Sequence, residues 1–492
     1  VGVQGPTGGA VIGAALLAGI SGGGTALVEL VAAVAMGFVA YVFVLFTRSF
    51  NNAGSVYAFT GAAVGPWFGF LSAFTLLFVY VDFAGGVYAS TADEARPAFA
   101  ALGLDLPWQF YAVVAFVAVS GLAYLDIKLS SAVVLALEIG AMAVVVAVCA
   151  VVLAKGGYHG HAFSSRPLRP DGSSLSVLGL GVVFSFSAFS GFEAAATLGE
   201  ESAQPERVVP LAVGLSLAVV ALYEVGVAFV VTNAYPSVHQ LASSAVPLVS
   251  VTDSFVAPWV GDLVNLAAVV SSFGAALACA NGAARILFAL GRDGFGPPFL
   301  ARTSTRTGSP AGALVLVATG SLGFLAPFLW ERAASRAVAV VLTYGADLII
   351  TAYLLVVFAG AVYAVRSRMP FTKVIGPLAG LLVLGFVAKD TFFPFPRAPY
   401  SWDAIGAGAT LLLGGALVLL SPGLRHRLTS SPLLVLAKAR LMGPPLPPAS
   451  RQKSVPEHAP RPPVRYRRER GYARATTSPI GVPYGHRSSS GR

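Results

Sequence analysis

Residues 186–210, FSAFSGFEAAATLGEESAQPERVVP, decide the fold of this chain. An apolar run leads into them, and Ser187-Ala188-Phe189-Ser190-Gly191 interrupts it just before the carboxylate of Glu193. Irregular backbone at membrane depth persists only where protein or a water-filled cavity covers it, because lipid offers no hydrogen-bonding partner. An ionisable side chain at that depth points to function by default. The stretch therefore reads as a membrane-spanning helix broken at a solute-binding site.

Composition supports a membrane reading. The 492 residues are 56% hydrophobic and 11% charged, against about 25% charged in soluble domains. That balance indicates a polytopic membrane protein rather than a string of soluble domains. The formal net charge of +10 belongs to the C-terminus, where from Arg425 onward 14 Lys and Arg face only Glu457 and Glu469. Behind a membrane domain such a tail meets anionic lipid or lies in the cytoplasm, and no nucleic-acid partner is expected. Cys149 and Cys279 stand in apolar runs and read as small hydrophobes. No basic region precedes the first apolar run, so no cleavable signal is predicted. The chain opens on Val1 in an apolar context, which predicts a start codon translated literally or residues missing upstream.

A spanning helix needs about 20 mostly apolar residues. Runs of that kind fall near 1–21, 26–46, 63–89, 108–125, 129–154, 175–198, 209–233, 259–290, 311–330, 336–364, 374–393 and 402–420. The first is short for a span on its own. These runs predict a transmembrane domain over 1–421 and a basic, mostly disordered tail over 422–492. Placing the tail in the cytoplasm agrees with a weak excess of Lys and Arg on the same side of the bilayer.

A second interruption lies near the start, at Gly5-Pro6-Thr7-Gly8-Gly9. Proline and clustered glycines disfavour continuous helix there. Paired interruptions at corresponding positions of two halves point to a transporter's midplane site, although Gly5 to Gly9 also fits a simple loop before the first helix. On this reading 1–154 and 175–366 are two half-repeats, and 374–420 supplies two appended spans. Unwinding frees N–H groups for a substrate carboxylate and carbonyls for an ammonium, and Thr7, Ser187 and Ser190 add hydroxyls. A zwitterion suits a site offering both polarities.

Three segments carry a family likeness. Residues 186–210 resemble the sixth helix and following loop of permeases of the amino acid–polyamine–organocation (APC) superfamily. SSFGAALACANGAARILFALGRDGFGPPFLARTSTRTGSP, Ser271 to Pro310, is similar to that superfamily's eighth helix and its exit, and Arg48 to Phe74 looks like the passage from second to third helix. The likeness covers roughly residues 5–420. It implies an all-α polytopic membrane protein of about twelve spans, a five-plus-five inverted repeat of the leucine-transporter type. Its first helix stands apparently truncated, because the half that precedes the break in the family is absent from this sequence.

The resemblance also implies uptake or exchange of amino acids or related amines by alternating access, often with proton coupling. Substrate-binding positions carried over on it are Thr7, Gly8, Gly9, Ser187, Ala188, Ser190 and Gly191. The gating aromatics are Phe186 and Phe189, for which a plain core or lipid-facing role is the alternative. Expected partners are the amine substrate, a proton and membrane lipid of the cell membrane.

Glu138, Glu193 and Glu224 fall inside predicted spans, with Asp82 and Asp347 in or near the ends of two others. Each charge at bilayer centre costs about 2.5–3.5 kcal/mol on insertion scales. Glu193 is the first candidate for proton coupling because it adjoins the break. Glu138 stands where some family members carry a lysine, which leaves two readings open: a coupling group, or a glutamate held by hydroxyls that pins helices together. Glu224 reads as structural. The scarcity of acids beside the breaks argues mildly against a dedicated polycation site. In the loop that follows Glu193, Pro210 suits the first turn of the seventh span.

Nothing in the sequence calls for a cofactor, a metal or an enzyme. There is no phosphate-cradling glycine loop with its lysine, no Cys/His metal spacing and no nucleophile beside a histidine. The rival expectation is a non-transporting amino acid receptor or membrane scaffold that keeps the permease fold.

Overall fold

A computed structural model describes residues 2–49, 55–100, 103–125, 127–158, 160, 163–169, 175–202 and 204–431. Residues 432–492, nearly all of the predicted basic tail, lie outside the described residues. Long apolar runs with no water to satisfy their amides must close every hydrogen bond internally, and among the described residues the regular structure is helical throughout.

The order is α1 (Pro6–Ser21), α2 (Thr25–Ser49), α3 (Val56–Ala63), α4 (Pro66–Ala100), α5 (Trp108–Tyr124), α6 (Ile127–Ala154) and α7 (Leu175–Ala188). There follow α8 (Pro205–Ala234), the short α9 (Val238–Ala242) and α10 (Pro247–Phe255), then α11 (Pro258–Arg292) and α12 (Ala311–Leu325). The chain closes with α13 (Ala334–Arg366), α14 (Phe371–Phe392), α15 (Tyr400–Leu420) and α16 (Pro422–Thr429). Ten helical segments of the described residues are long and apolar enough to cross a bilayer, and α1 and α5 are shorter apolar helices. The protein is thus an all-α polytopic membrane protein.

Helix packing repeats between the halves. α4 packs on α5 and α13, as α11 packs on α12 and α6. α5 crosses to α11 as α12 crosses to α4, and α2 meets α7 as α8 meets α1. The central pairs, α2 with α8 and α4 with α11, each join a helix to its own counterpart. This is the contact pattern that a five-plus-five inverted repeat requires. α4 and α11 even share a length of 35 residues, about 52 Å of helix, so both cross the layer at a tilt or project beyond it. α14 and α15 lie outside the repeats and present Leu382, Leu412 and Leu420 outward, as lipid-facing helices should.

Three sequence expectations need correction. The third span does not stop at 89: α4 runs on to Ala100 in spite of Pro97. Its buried stripe of Ala84, Tyr88, Ala92 and Ala95 keeps helical spacing through that extension. Before it, the wholly buried α3 folds back on α4 where a Cβ on Gly69 would fall 2.7 Å from Gly61 Cα, so the two backbones touch. Pro210 is not in a first turn, because α8 begins five residues earlier and Pro205 takes the position that tolerates proline. Finally, residues 422–431 remain packed on the membrane domain, with Leu428 fully buried and Arg427 donating to the Gly294 carbonyl at 2.8 Å.

Candidate functional site

The interruption after α7 meets the start of α1, and the expectation of an unwound Gly5 to Gly9 needs correction: Thr7, Gly8 and Gly9 lie in the first turn of α1, as Pro6 at a helix start allows. α7 ends at Ala188, Gly191 adopts φ 108°, and the chain resumes as a 3-10 helix over Phe192–Glu201. At the other break Gly5 takes φ 50° and Pro6 opens α1. Gln4 Nε2 donates to the Phe189 carbonyl at 3.1 Å. A Cβ on Gly191 would sit 2.7 Å from Val3 Cγ1, so only glycine admits the approach, and its positive φ disfavours other residues as well.

At the first break the opening turn of α1 is surrounded by carboxylates from three other helices. Thr7 Oγ1 donates to Glu138 Oε1 at 3.3 Å and accepts from Tyr223 OH at 3.2 Å. Ser271 Oγ donates to the same Glu138 oxygen at 3.0 Å and accepts from the Gly8 amide at 3.3 Å. Ser272 Oγ donates to Glu94 Oε1 at 3.0 Å. A Cβ on Gly9 would lie 3.5 Å from Glu224 Oε1. Glu29 of α2 completes an arc, within electrostatic reach of Glu224, which in turn senses Glu138. Enclosed Oε2 atoms of Glu29, Glu94 and Glu138 have no hydrogen-bonding partner. No ion pair among the described residues reaches any of the four. The positive end of α1 offsets part of that negative charge.

The expectation of few acids beside the breaks therefore fails. Glu94 escaped because the span was ended at 89, although the small residues continuing at helical spacing to Ala95 were a legible signal. Glu29 lay inside a predicted span, where any ionisable group deserves notice. Asp82 and Asp347 lie well inside α4 and α13 rather than near their ends.

The second break differs in kind. Glu193, which follows Gly191-Phe192, is fully buried and accepts from three donors: Tyr80 OH at 2.9 Å, Tyr353 OH at 2.6 Å and the Gly191 amide at 2.8 Å. It pins the break to α4 and α13. Ser190 Oγ and Ser187 Oγ donate to the carbonyls of Ser187 and Phe184, at 2.6 and 2.8 Å, which steadies the interruption from within. Phe186 and Phe189 are both fully buried, so neither faces lipid. Phe186 packs edge-on to Tyr353, centroids 6.1 Å apart. Phe192, which sequence reasoning passed over, stacks on that tyrosine at 5.9 Å and meets Phe43 at 5.6 Å. Among the described residues no cluster of His, Cys, Asp and Glu is disposed to hold a metal.

Comparison with known proteins agrees with this geometry. A family model described as amino acid permease matches residues 5–415. A branched-chain amino acid permease of Bacillus subtilis is 28% identical over 62% of this chain and 68% of its own length. A cationic amino acid transporter of Arabidopsis thaliana is 26% identical over 59% of the chain, which spans about half (49%) of that relative. A low-affinity putrescine importer of Escherichia coli is 25% identical over 63% of the chain and 68% of its own length. With the interruption after α7 in contact with the start of α1 and a family match over nearly the whole membrane domain, the chain belongs to the amino acid permease family of the APC superfamily, a family of membrane transporters and not of enzymes.

Proposed function

We propose that the protein is a secondary active transporter of the cell membrane. It would move amino acids or related amines by alternating access, with the basic tail in the cytoplasm. One observation carries this reading: the turn that opens α1 touches the interruption after α7 through Gln4 and the Phe189 carbonyl, amid buried carboxylates. Thr7, Gly8 and Gly9 would take the substrate from one side, and Ser187, Ala188, Ser190 and Gly191 from the other. Amides at the start of α1 suit a carboxylate. Phe186 and Phe189, packed beside the second break, are placed to open and close it.

Within this class the acidic arc favours substrates with an ammonium beyond the α-amino group, as in basic amino acids or diamines. Two unit charges 4 Å apart interact by about 4 kcal/mol at an effective dielectric of 20. No lysine or arginine among the described residues is ion-paired to the arc and able to compete for it. Names of the relatives span branched-chain, cationic and polyamine substrates, so the arc is the feature that chooses among them. Proton coupling follows from the same groups. Glu138 bears on the first break through Thr7 and Ser271, and Glu193 bears on the second.

Purified protein in lipid vesicles tests the reading directly. Labelled putrescine and arginine should accumulate against their gradients when an inward proton gradient is imposed, and leucine should accumulate less. Binding without accumulation of any of the three would replace the transporter with a receptor.

A further inference from the structure

Away from both breaks, three buried aspartates converge from three helices. Asp82 lies near the middle of α4, Asp347 within α13 and Asp403 in the first turn of α15, and all three are buried. Asp403 is within electrostatic reach of both Asp82 and Asp347. Asp82 is fully enclosed, and neither of its carboxylate oxygens has a hydrogen-bonding partner; Asp403 Oδ2 is likewise enclosed and unpartnered. Gly345 of α13 makes room for Asp82, since a Cβ there would fall 2.4 Å from Asp82 Oδ2. Other titratable groups in reach of Asp82 are Tyr344 of α13 and Cys279 of α11, neither of them basic. No ion pair among the described residues touches the three.

A buried carboxylate in a low-dielectric interior is ordinarily surrounded by donors, as Glu193 is. Asp82 has only the Gly345 backbone in reach, and no hydrogen bond is formed to either of its oxygens. A carboxyl so placed is neutralised by a proton rather than left charged. We infer that Asp82, Asp347 and Asp403 form a coupling site for a proton, separate from the acidic arc; among the described residues they are not disposed to hold a metal ion. This deepens the transport reading above and rests on it.

The site is wired to the second break by rigid elements. α4 holds Asp82 and, two residues earlier, Tyr80, which donates to Glu193. α13 holds Asp347 and, six residues later, Tyr353, which donates to the other Glu193 oxygen. Without the proton, like charges push α4, α13 and α15 apart. Loading it lets them close, and the two tyrosines carry that spacing to Glu193.

The test uses the full chain, purified and reconstituted, as wild type, Asp82→Asn and Gly345→Ala. Vesicle uptake of putrescine is driven by an imposed proton gradient in one arm and a sodium gradient in the other. The proton arm should drive the wild type. In that arm both variants should lose at least ten-fold in accumulation, while the rise in melting temperature on adding putrescine persists and shows that each is folded and binds. A second measurement needs no transport: proton release on a pH jump by the detergent-solubilised protein, read with an indicator dye, should fall in Asp82→Asn. Gradient-driven accumulation at wild-type levels in both variants, unchanged proton release in Asp82→Asn, or a wild type driven by sodium alone overturns the proposal. A wild type that binds putrescine but never accumulates it defeats the transport reading instead, and the proton-release measurement still decides the site.

Discussion

The two breaks are related by the internal repeat, yet their carboxylates are treated in opposite ways. At the first, glutamates from α4, α6 and α8 crowd one helix turn with Glu29 of α2 in reach of Glu224, and three of the four keep an oxygen without a partner. At the second, a single glutamate is saturated by two tyrosines and an amide. An unpartnered buried oxygen is costly to keep and is retained where something else will bind. A saturated one fixes geometry. The first break is therefore the half equipped to receive a charged solute, and the second the half equipped to hold a defined shape while it does so.

The most severe way to break this contrast is to fill the contact between the breaks. Gly191→Val places a branched side chain at φ 108° and against Val3. The backbone term alone is about 1–2 kcal/mol, and overpacking adds about 1–3 kcal/mol. Uptake should drop below a tenth of wild type with protein still present in the membrane. Near-normal uptake would mean that the breaks need not touch.

Charge removal sharpens the contrast. Glu138→Gln should raise the KM for putrescine ten-fold or more and change that for leucine little, because it removes attraction and keeps the shape of the side chain. Glu193→Gln should do the reverse, lowering kcat for every substrate alike. Its amide would present a donor where Tyr80, Tyr353 or the Gly191 amide already offers one. Equal loss of putrescine and leucine transport in both variants would erase the division of labour. If Glu193 also carries the coupled proton, Glu193→Gln abolishes the dependence of uptake on external pH, and unchanged pH dependence with intact transport removes it from coupling.

Where the sequence was legible, it was so for physical reasons. Ser-Ala-Phe-Ser-Gly cannot continue a helix comfortably in lipid, so the second break was readable within a residue or two. Gly5-Pro6 marked a helix start rather than a break within a helix, since Thr7, Gly8 and Gly9 continue helically once Pro6 has opened α1. Glu94 was not legible to a hydropathy reading, since Asp93, Glu94 and Arg96 lower the local average and look like a loop. They stay helical because Ala92 and Ala95 are buried against the bundle and Arg96 pairs with Asp105 at 3.1 Å beyond the last turn. The meeting of Glu29, Glu94, Glu138 and Glu224 was out of reach for a different reason. Residues spread over some 200 positions converge only through helix crossings, and no local spacing records those.

The tyrosine clamp offers a graded test. Tyr353→Phe removes the shorter bond to Glu193, at 2.6 Å, and Tyr80→Phe the longer, at 2.9 Å. Hydrogen bonds to a charged group contribute about 1.5–3 kcal/mol each. Tyr353→Phe should therefore slow turnover more than Tyr80→Phe, by roughly ten-fold against several-fold. An inverted order would place the functional tension on α4 rather than α13.

The smallest expected effect is at Thr7, and it discriminates most finely. Its hydroxyl donates to Glu138 and accepts from Tyr223, so it links the first break to α6 and α8 at once. Thr7→Ser keeps that hydroxyl and loses only a methyl group, whereas Thr7→Val keeps the shape and loses both bonds. At 3.3 and 3.2 Å these bonds are longer than those of the tyrosine clamp, so Thr7→Val should reduce putrescine kcat/KM by about three-fold and Thr7→Ser by less than about two-fold. In a Glu138→Gln background the difference between the two should shrink, because the glutamine amide can turn its own donor toward Thr7. A Thr7→Val penalty that is the same in both backgrounds would show that the hydroxyl acts on the substrate directly and not through the acidic arc.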